Sequence, residues 1–447
     1  MKERTLKKGW MERDRKHLLH GGVPLDAFAE KGSEMIISEG QGIILKDFRG
    51  KEYIDGLSGA ICVNLGYGRK ELAEVAMAQM AKLNYSLGWS NFANTAAIEY
   101  ASKLAESTPD GLDRFFFANS GSEANESAYK IARFHWIRQG KEGKTKIISR
   151  QHSYHGLNLA SMTATGMERF HTKMGPLVPG FIRIPTAYCY RCAFDKQYPG
   201  CGLECSEALA DTIDKEGEDT IAAFFGEPVI GTAGTIVPPP EYWSRVRQIC
   251  TERNILLILD EVMTGFGRTG KMFACEHWDI TPDMMLMSKG MINSALPLSA
   301  VALSDKVFQG MLGPDAFYHL YTCGAHPVCC AVAIKNLEIL IRENLVENSA
   351  KVGKYMLQRL NEFQEYPYIG EIRGLGLFGA FEIVQDKETR APDGKLAKKL
   401  VADAREQGLI VRVAGTAIQI APPLITTEAD IDQIVDILRG VVAGLRP

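Results

Sequence analysis

The chain has 447 residues, 46% hydrophobic and 23% charged, the balance of an ordinary soluble globular protein with more than one minimal domain's worth of core. With 51 basic residues against 54 acidic ones and a formal net charge of -3, nothing recommends nucleic acid or an anionic membrane surface as a partner, and small molecules are expected instead. The basic opening from Met1 to Gly22 lacks the apolar stretch of a signal peptide, no later apolar run approaches a bilayer span, and thiols such as Cys62 and Cys250 lie singly in apolar segments; a reducing, cytoplasmic setting is the expectation.

Up to about residue 50 the sequence shows little periodicity, and this stretch is expected to form an arm that wraps over something, a partner subunit being one candidate. Residues 42–48 and 51–55 read as a strand pair turning at Arg49-Gly50. Helical periods at 71–83 and 95–106 then give way to short β-rich apolar runs at 114–118, 146–149, 221–226, 255–259 and 299–303. Strands alternating with helices predict parallel crossover units, hence an α/β fold with a mostly parallel sheet covered on both faces. After His326-Pro327 a single long helical pattern runs to about Phe363, and short strands are expected around 376–383 and 417–420. The predicted division is an N-terminal arm with part of a small domain (1–65), a large domain (66–330) and a smaller C-terminal α+β domain (331–447), with no internal repeat or low-complexity tract.

Three segments carry candidate chemistry. The apolar run Leu256-Leu257-Ile258-Leu259 ends on Asp260, and ligands of open α/β sheets bind beyond the carboxyl ends of strands, although an acid there can equally cap a helix or hold a metal. Asn119-Ser120-Gly121-Ser122 follows a strand and opens a helix, so free backbone amides and the positive dipole end would point outward, as a phosphate requires; serine and glycine also open helices for structural reasons alone. Lys289 lies between small residues after the apolar run 284–287, where partial loss of hydration lowers an amine's pKa and frees it for imine formation, whereas most lysines are simply solvated.

In chain order, Gly121-Ser122, Tyr154-His155-Gly156, Glu227-Pro228, Asp260-Glu261-Val262, the glycine-rich run from Gly265 to Gly270, Lys289 and the run from Thr322 to His326-Pro327 resemble the class III aminotransferases of the fold type I pyridoxal-phosphate family, over residues 55–427. The resemblance implies a large domain with a mostly parallel seven-stranded sheet. It implies that Lys289 carries pyridoxal 5'-phosphate as a Schiff base and serves as general base, with Asp260 pairing with the pyridine nitrogen. It implies further that Tyr154 stacks on the ring, that Ser120, Gly121 and Ser122 receive the phosphate, and that Glu227 and Val262 support and pack the ring, where their plain alternatives are a structural acid and a core valine. Thr322 would reach the phosphate of a neighbouring subunit, giving a homodimer with shared active sites, or a tetramer built from it.

The stretch from Gly408 to Leu424 resembles the part of the family that lines the substrate site, where Arg412 would clamp a carboxylate; its plain alternative is a surface ion pair. The pattern is most like ω-aminotransferases that use pyruvate, with β-alanine, taurine, a diamine or an aryl amine as donor. The alternatives are a 2-oxoglutarate-dependent enzyme of 4-aminobutyrate or taurine type, a racemase or aminomutase on the same fold, and, from another class, a non-catalytic cofactor-binding protein. Ile61 stands where the family commonly has a tryptophan, and Trp89 is the expected replacement wall. Last, Cys189, Cys192, Cys201 and Cys205 crowd four thiols into a short segment with spacing that permits zinc or an iron–sulfur cluster. Free thiols are the expected state.

Overall fold

A seven-stranded sheet forms the centre of the computed structural model, which describes residues 9–445. Its spatial order is Leu112–Ala118, Ser299–Ser304, Met284–Met287, Leu256–Asp260, Ile221–Gly226, Lys146–Arg150 and Phe181–Ile184. Only Ser299–Ser304 runs antiparallel to its neighbours. The remaining contacts are parallel.

The three central strands are buried at every residue, which is why they read as unbroken apolar runs rather than alternating ones. Successive side chains still point to opposite faces. Ile258 and Leu286 join Ala124, Ala128 and Ile131 of the helix Gly121–Arg138, whereas Leu257, Leu259 and Met285 join Val246 and Ile249 of the helix Tyr242–Glu252. Both faces are thus covered by helices, and the strand ends form the one rim left open for chemistry.

Two four-stranded sheets lie outside this centre. The first joins Ile37–Gln41, Ile44–Asp47 and Glu52–Asp55 to Leu409–Ile410, which pairs in parallel through Leu409 with Ile54 and through Ile410 with Asp55. The second is antiparallel, in the order Ile369–Gly374, Gly379–Ile383, Ala417–Ile420, Arg412–Ala414. The start and the end of the chain therefore share a sheet.

The glycine-rich run contributes a tie between them. Arg268 is fully buried and donates to Leu377 O at 2.8 Å, Pro422 O at 2.6 Å, Ser58 Oγ at 3.1 Å and Asn64 Oδ1 at 2.9 Å. Burial draws its guanidinium down to about 9, with Cys62 and Asp55 opposing the shift.

Several elements differ from expectation. The opening stretch contains the helices Trp10–His17 and Leu25–Lys31 and the strand Ile37–Gln41; the two helices bury only Asp14, so no core-facing period marks them. Met1 to Lys8, part of the basic opening read against a targeting signal, and Arg446 and Pro447 lie outside the described residues. The long helical pattern after Pro327 is two helices, Pro327–Arg342 and Leu345–Asn361, parted at Asn344, whose left-handed φ of 50° breaks the backbone while the apolar period continues. The strands Phe181–Ile184 and Ile369–Gly374 were not expected. Among the described residues no helix is long and apolar enough to cross a membrane.

Candidate active site

Three neighbouring strands of the central sheet deliver acids and an amine to one rim. Ile221–Gly226 is followed by Glu227, Leu256–Asp260 ends on Asp260, and Met284–Met287 leads into Ser288 and Lys289. A cavity of about 160 Å³ brings together Ser120, Gly121, Ser122, Tyr154, Glu227, Asp260, Val262 and Lys289. Eight of the eleven site residues expected from sequence thus line one space.

Asp260 is buried and closely held. Its Oδ2 accepts from Asn125 Nδ2 at 3.4 Å and lies 2.8 Å from His155 Nδ1, and its Oδ1 accepts the Val262 amide at 3.1 Å. Glu227 spends its carboxylate on backbone, taking the Tyr154 amide at 2.9 Å and the Gly231 amide at 3.2 Å, while burial pushes its pKa up. It thereby fixes the residue whose ring edges the cavity beside Phe170, 5.5 Å away between centroids.

The helix Gly121–Arg138 begins at the cavity. Ser120 caps it, its Oγ accepting the Glu123 amide at 3.2 Å, and the amides of Gly121 and Ser122 belong to the first turn, where no helical carbonyl is available. The chain passes close to this turn at Gly156. A Cβ there would stand 2.2 Å from Ser122 Oγ, and its φ of +113° is one that L side chains rarely adopt.

Lys289 has a left-handed φ of 48°, an uncommon conformation for a long side chain. Although it keeps some contact with solvent through the cavity, burial draws its amine down to about 8, with Arg412 adding to the shift and Cys62, Asp260 and Glu227 opposing it.

Arg412 approaches from the second small sheet. Its Nε donates to Gln419 Oε1 at 2.7 Å, and Gln419 is itself anchored on Gly231 O at 2.9 Å and Thr235 Oγ1 at 2.7 Å. The Nη2 of Arg412 is buried and has no partner among the described residues. Among the described residues no acid pairs with this guanidinium, and burial, then Arg169, lower its pKa to about 10. A half-buried cation with an unused donor is an anion site in waiting.

Trp89 and Thr322 are not brought to Lys289 in the single chain. They sit instead beside one another's segments: Tyr85 Oη donates to Thr322 O at 3.0 Å, and a Cβ at Gly88 would stand 2.6 Å from Gly324 O. The Trp89 indole Nε1 is buried without a partner.

Sequence reasoning did not assign roles to His155, Asn125 and Gln419. His155 stood inside a quoted motif, and its contact with Asp260 crosses 105 positions of sequence.

The donor set suits a phosphorylated ring cofactor. Free amides at a capped helix start offer a phosphate seat, a buried acid faces the cavity, and an amine of lowered pKa stands beside it. Comparison with known proteins agrees. The sequence matches the family Aminotransferase class-III over residues 27–442. It is 34% identical to a putrescine–pyruvate aminotransferase of Pseudomonas aeruginosa, covering 96% of this chain and 95% of that protein. It is 36% identical to a diaminobutyrate–2-oxoglutarate transaminase of Halomonas elongata, covering 96% and 95%. The ω-transaminase of Pseudomonas jessenii, solved in complex with PMP, superimposes with a TM-score of 0.94 at 36% identity over 97% of both chains. A match of this length, on a fold type I scaffold whose cavity offers what the cofactor needs, makes the chain a pyridoxal-phosphate-dependent member of the class III aminotransferases.

Proposed function

We propose that the protein moves an amino group from an ω-amino donor such as β-alanine, taurine or a related amine to a keto acid, with pyruvate as the preferred acceptor. The observation that carries this reading is the Lys289 amine, lowered to about 8, sharing a cavity with Asp260 while the unpaired Arg412 stands within its electrostatic reach.

Bound pyridoxal phosphate supplies a conjugated ring that accepts the electron pair left when the substrate C–H bond breaks. Lys289 Nζ would hold the cofactor, then carry the proton between the substrate carbon and the cofactor. Asp260, held in place by Asn125, His155 and the Val262 amide, would keep a proton on the ring nitrogen. Ser120, Gly121 and Ser122 would receive the phosphate, Tyr154 and Val262 would bracket the ring, and Glu227 would keep Tyr154 in position.

Arg412 would bind the carboxylate of the keto acid, and a sulfonate such as taurine's presents similar oxygens. Thr322 and Trp89 would act on a second copy of the chain, giving a homodimer with shared sites. Phe92, Tyr318 and Leu320, large apolar side chains on the same segments, are exposed in the single chain, which favours a covering partner. The division at about residues 65 and 330, and a cytoplasmic setting compatible with ten free cysteines, belong to the same reading.

A donor panel of β-alanine, taurine, 4-aminobutyrate and diamines, each run with pyruvate and with 2-oxoglutarate, tests it. Each productive donor should change the cofactor's absorbance, and pyruvate should reverse the change. Racemase activity without that cycle, or faster reversal by 2-oxoglutarate, would refute the reading or its acceptor. Borohydride reduction and peptide mapping should find the cofactor on Lys289 and nowhere else.

A further inference from the structure

Arg412 and Gln419 stand directly opposite one another in the second small sheet, Arg412 on the edge strand Arg412–Ala414 and Gln419 on the interior strand Ala417–Ile420. Opposed side chains of an antiparallel pair share one face, so the register itself brings the Gln419 amide to the guanidinium. That amide has no choice of orientation. One end faces the carbonyl of Gly231 at 2.9 Å, which can only accept, so this end is the NH2; its other hydrogen goes to Thr235 Oγ1 at 2.7 Å. Oε1 is thereby left to accept from Arg412 Nε, 2.7 Å away.

The anchors are themselves held. Thr235 adopts a left-handed φ of 54°, and Arg373 Nε donates to its carbonyl at 3.1 Å and to that of Gly234 at 2.8 Å. Arg373 Nη2 in turn donates to the buried Glu382 Oε1 at 2.9 Å. Gly231 ties this frame to the active-site cavity, because its amide donates at 3.2 Å to Glu227, which lines that cavity, while its carbonyl receives Gln419. Three hydrogen bonds thus lead from the cavity wall to Arg412.

The neutrality of Gln419 matters as much as its place. A carboxylate there would pair with the guanidinium and cancel its charge. The amide fixes Nε and leaves the charge uncompensated, with Nη2 buried and without a partner among the described residues. Swinging the arginine away would strip Oε1 of its donor at a fully buried residue, which opposes the movement.

We propose that Gln419 is the positioning residue that sets substrate choice: it holds Arg412 fixed and charged beside the cavity, so that the site takes amino donors bearing a carboxylate or sulfonate in preference to uncharged amines and diamines. A diamine would set its second ammonium against the guanidinium. The proposal rests on the reading that Arg412 binds the substrate anion.

The donor half-reaction of the holoenzyme, followed by the cofactor's absorbance with no keto acid present, compares taurine, β-alanine, butylamine and putrescine. Wild type should favour the two anionic donors by about 10-fold or more, the size of one charge-assisted contact. Gln419→Glu and Gln419→Leu should each reduce that preference by about 10-fold, through the half-saturating concentration of the anionic donors rather than the limiting rate. Isethionate, which carries taurine's sulfonate without its amine, should bind either variant about 10-fold more weakly than wild type in calorimetry. Overturning results are a wild type that uses butylamine or putrescine as well as taurine, or a donor preference and isethionate affinity that either variant leaves unchanged. Arg412→Ala, measured alongside, tells the two readings apart. If it abolishes the preference and the Gln419 variants do not, this proposal alone fails; if it leaves the preference intact, the assignment of the anion to Arg412 fails and this proposal with it. Should Gln419→Glu not fold, Gln419→Leu and the wild-type preference decide.

Discussion

At Asp260 the carboxylate is held by an amide, a ring nitrogen and a backbone N–H, all on elements packed against the central sheet. Arg412 is held by one bond from Gln419 and leaves Nη2 unused. The contrast separates two jobs. A group proposed to keep one orientation is over-determined by fixed partners, whereas a group proposed to accept different substrates in alternate half-reactions is left with spare capacity.

Substitution at each end should break the comparison or sharpen it. Lys289→Ala should abolish covalent cofactor retention and lower turnover by on the order of 10⁴-fold, at the upper end for loss of a positioned proton carrier. Asp260→Asn keeps the shape but removes the charge; turnover should fall by about 10²- to 10³-fold, with the cofactor still attached and its absorbance shifted. If Arg412→Ala lowers turnover to the same extent, the two ends do not differ as argued. The expected outcome is instead a roughly 10- to 100-fold rise in KM for the keto acid with kcat largely kept, the size of one charge-assisted pair.

Gly156→Ala adds a methyl where no room exists beside Ser122, and cofactor should dissociate about 10- to 30-fold more readily in equilibrium dialysis, a strain of about 1.4 to 2 kcal/mol. The smallest effect concerns pH. With Lys289 lowered to about 8, about one amine in ten is unprotonated at pH 7, against fewer than about one in a thousand for an ordinary lysine. Because the free amine is the reactive form and grows with pH, cofactor uptake by cofactor-free enzyme should rise about tenfold from pH 7 to pH 9 and level off above it. A rise that continues past pH 10 would mean that burial does not govern Lys289.

The two ends also differed in how far they could be read from the chain. The strand at 221–226 was legible to the residue and those at 256–260 and 299–304 to within one residue, because burial on both faces writes itself as an unbroken apolar run. Phe181–Ile184 lies at the sheet edge with Arg183 inside it, and Ile369–Gly374 carries glycines and charge, so neither presents a period. Asp260 and Lys289 were readable from position alone, at strand ends. The hold of His155 and Asn125 on Asp260, and of Gln419 on Arg412, comes from contacts between segments that sequence order keeps apart. The break at Asn344 leaves no mark on the sequence pattern because one backbone angle, not a change of period, makes it.

The shared sheet at the chain's two ends has a consequence for the order in which the molecule can be completed. The strands between Ile37 and Asp55 emerge early from the ribosome, yet the edge beside Glu52–Asp55 stays open until Leu409–Ile410 arrives several hundred residues later. Arg268 waits in the same way for Leu377 and Pro422. By then every side chain of the Asp260 and Lys289 floor has been made, whereas Arg412 and Gln419 come with the final segment. Chain order thus places the residues of the proposed cofactor seat ahead of Arg412 and Gln419, the proposed carboxylate end.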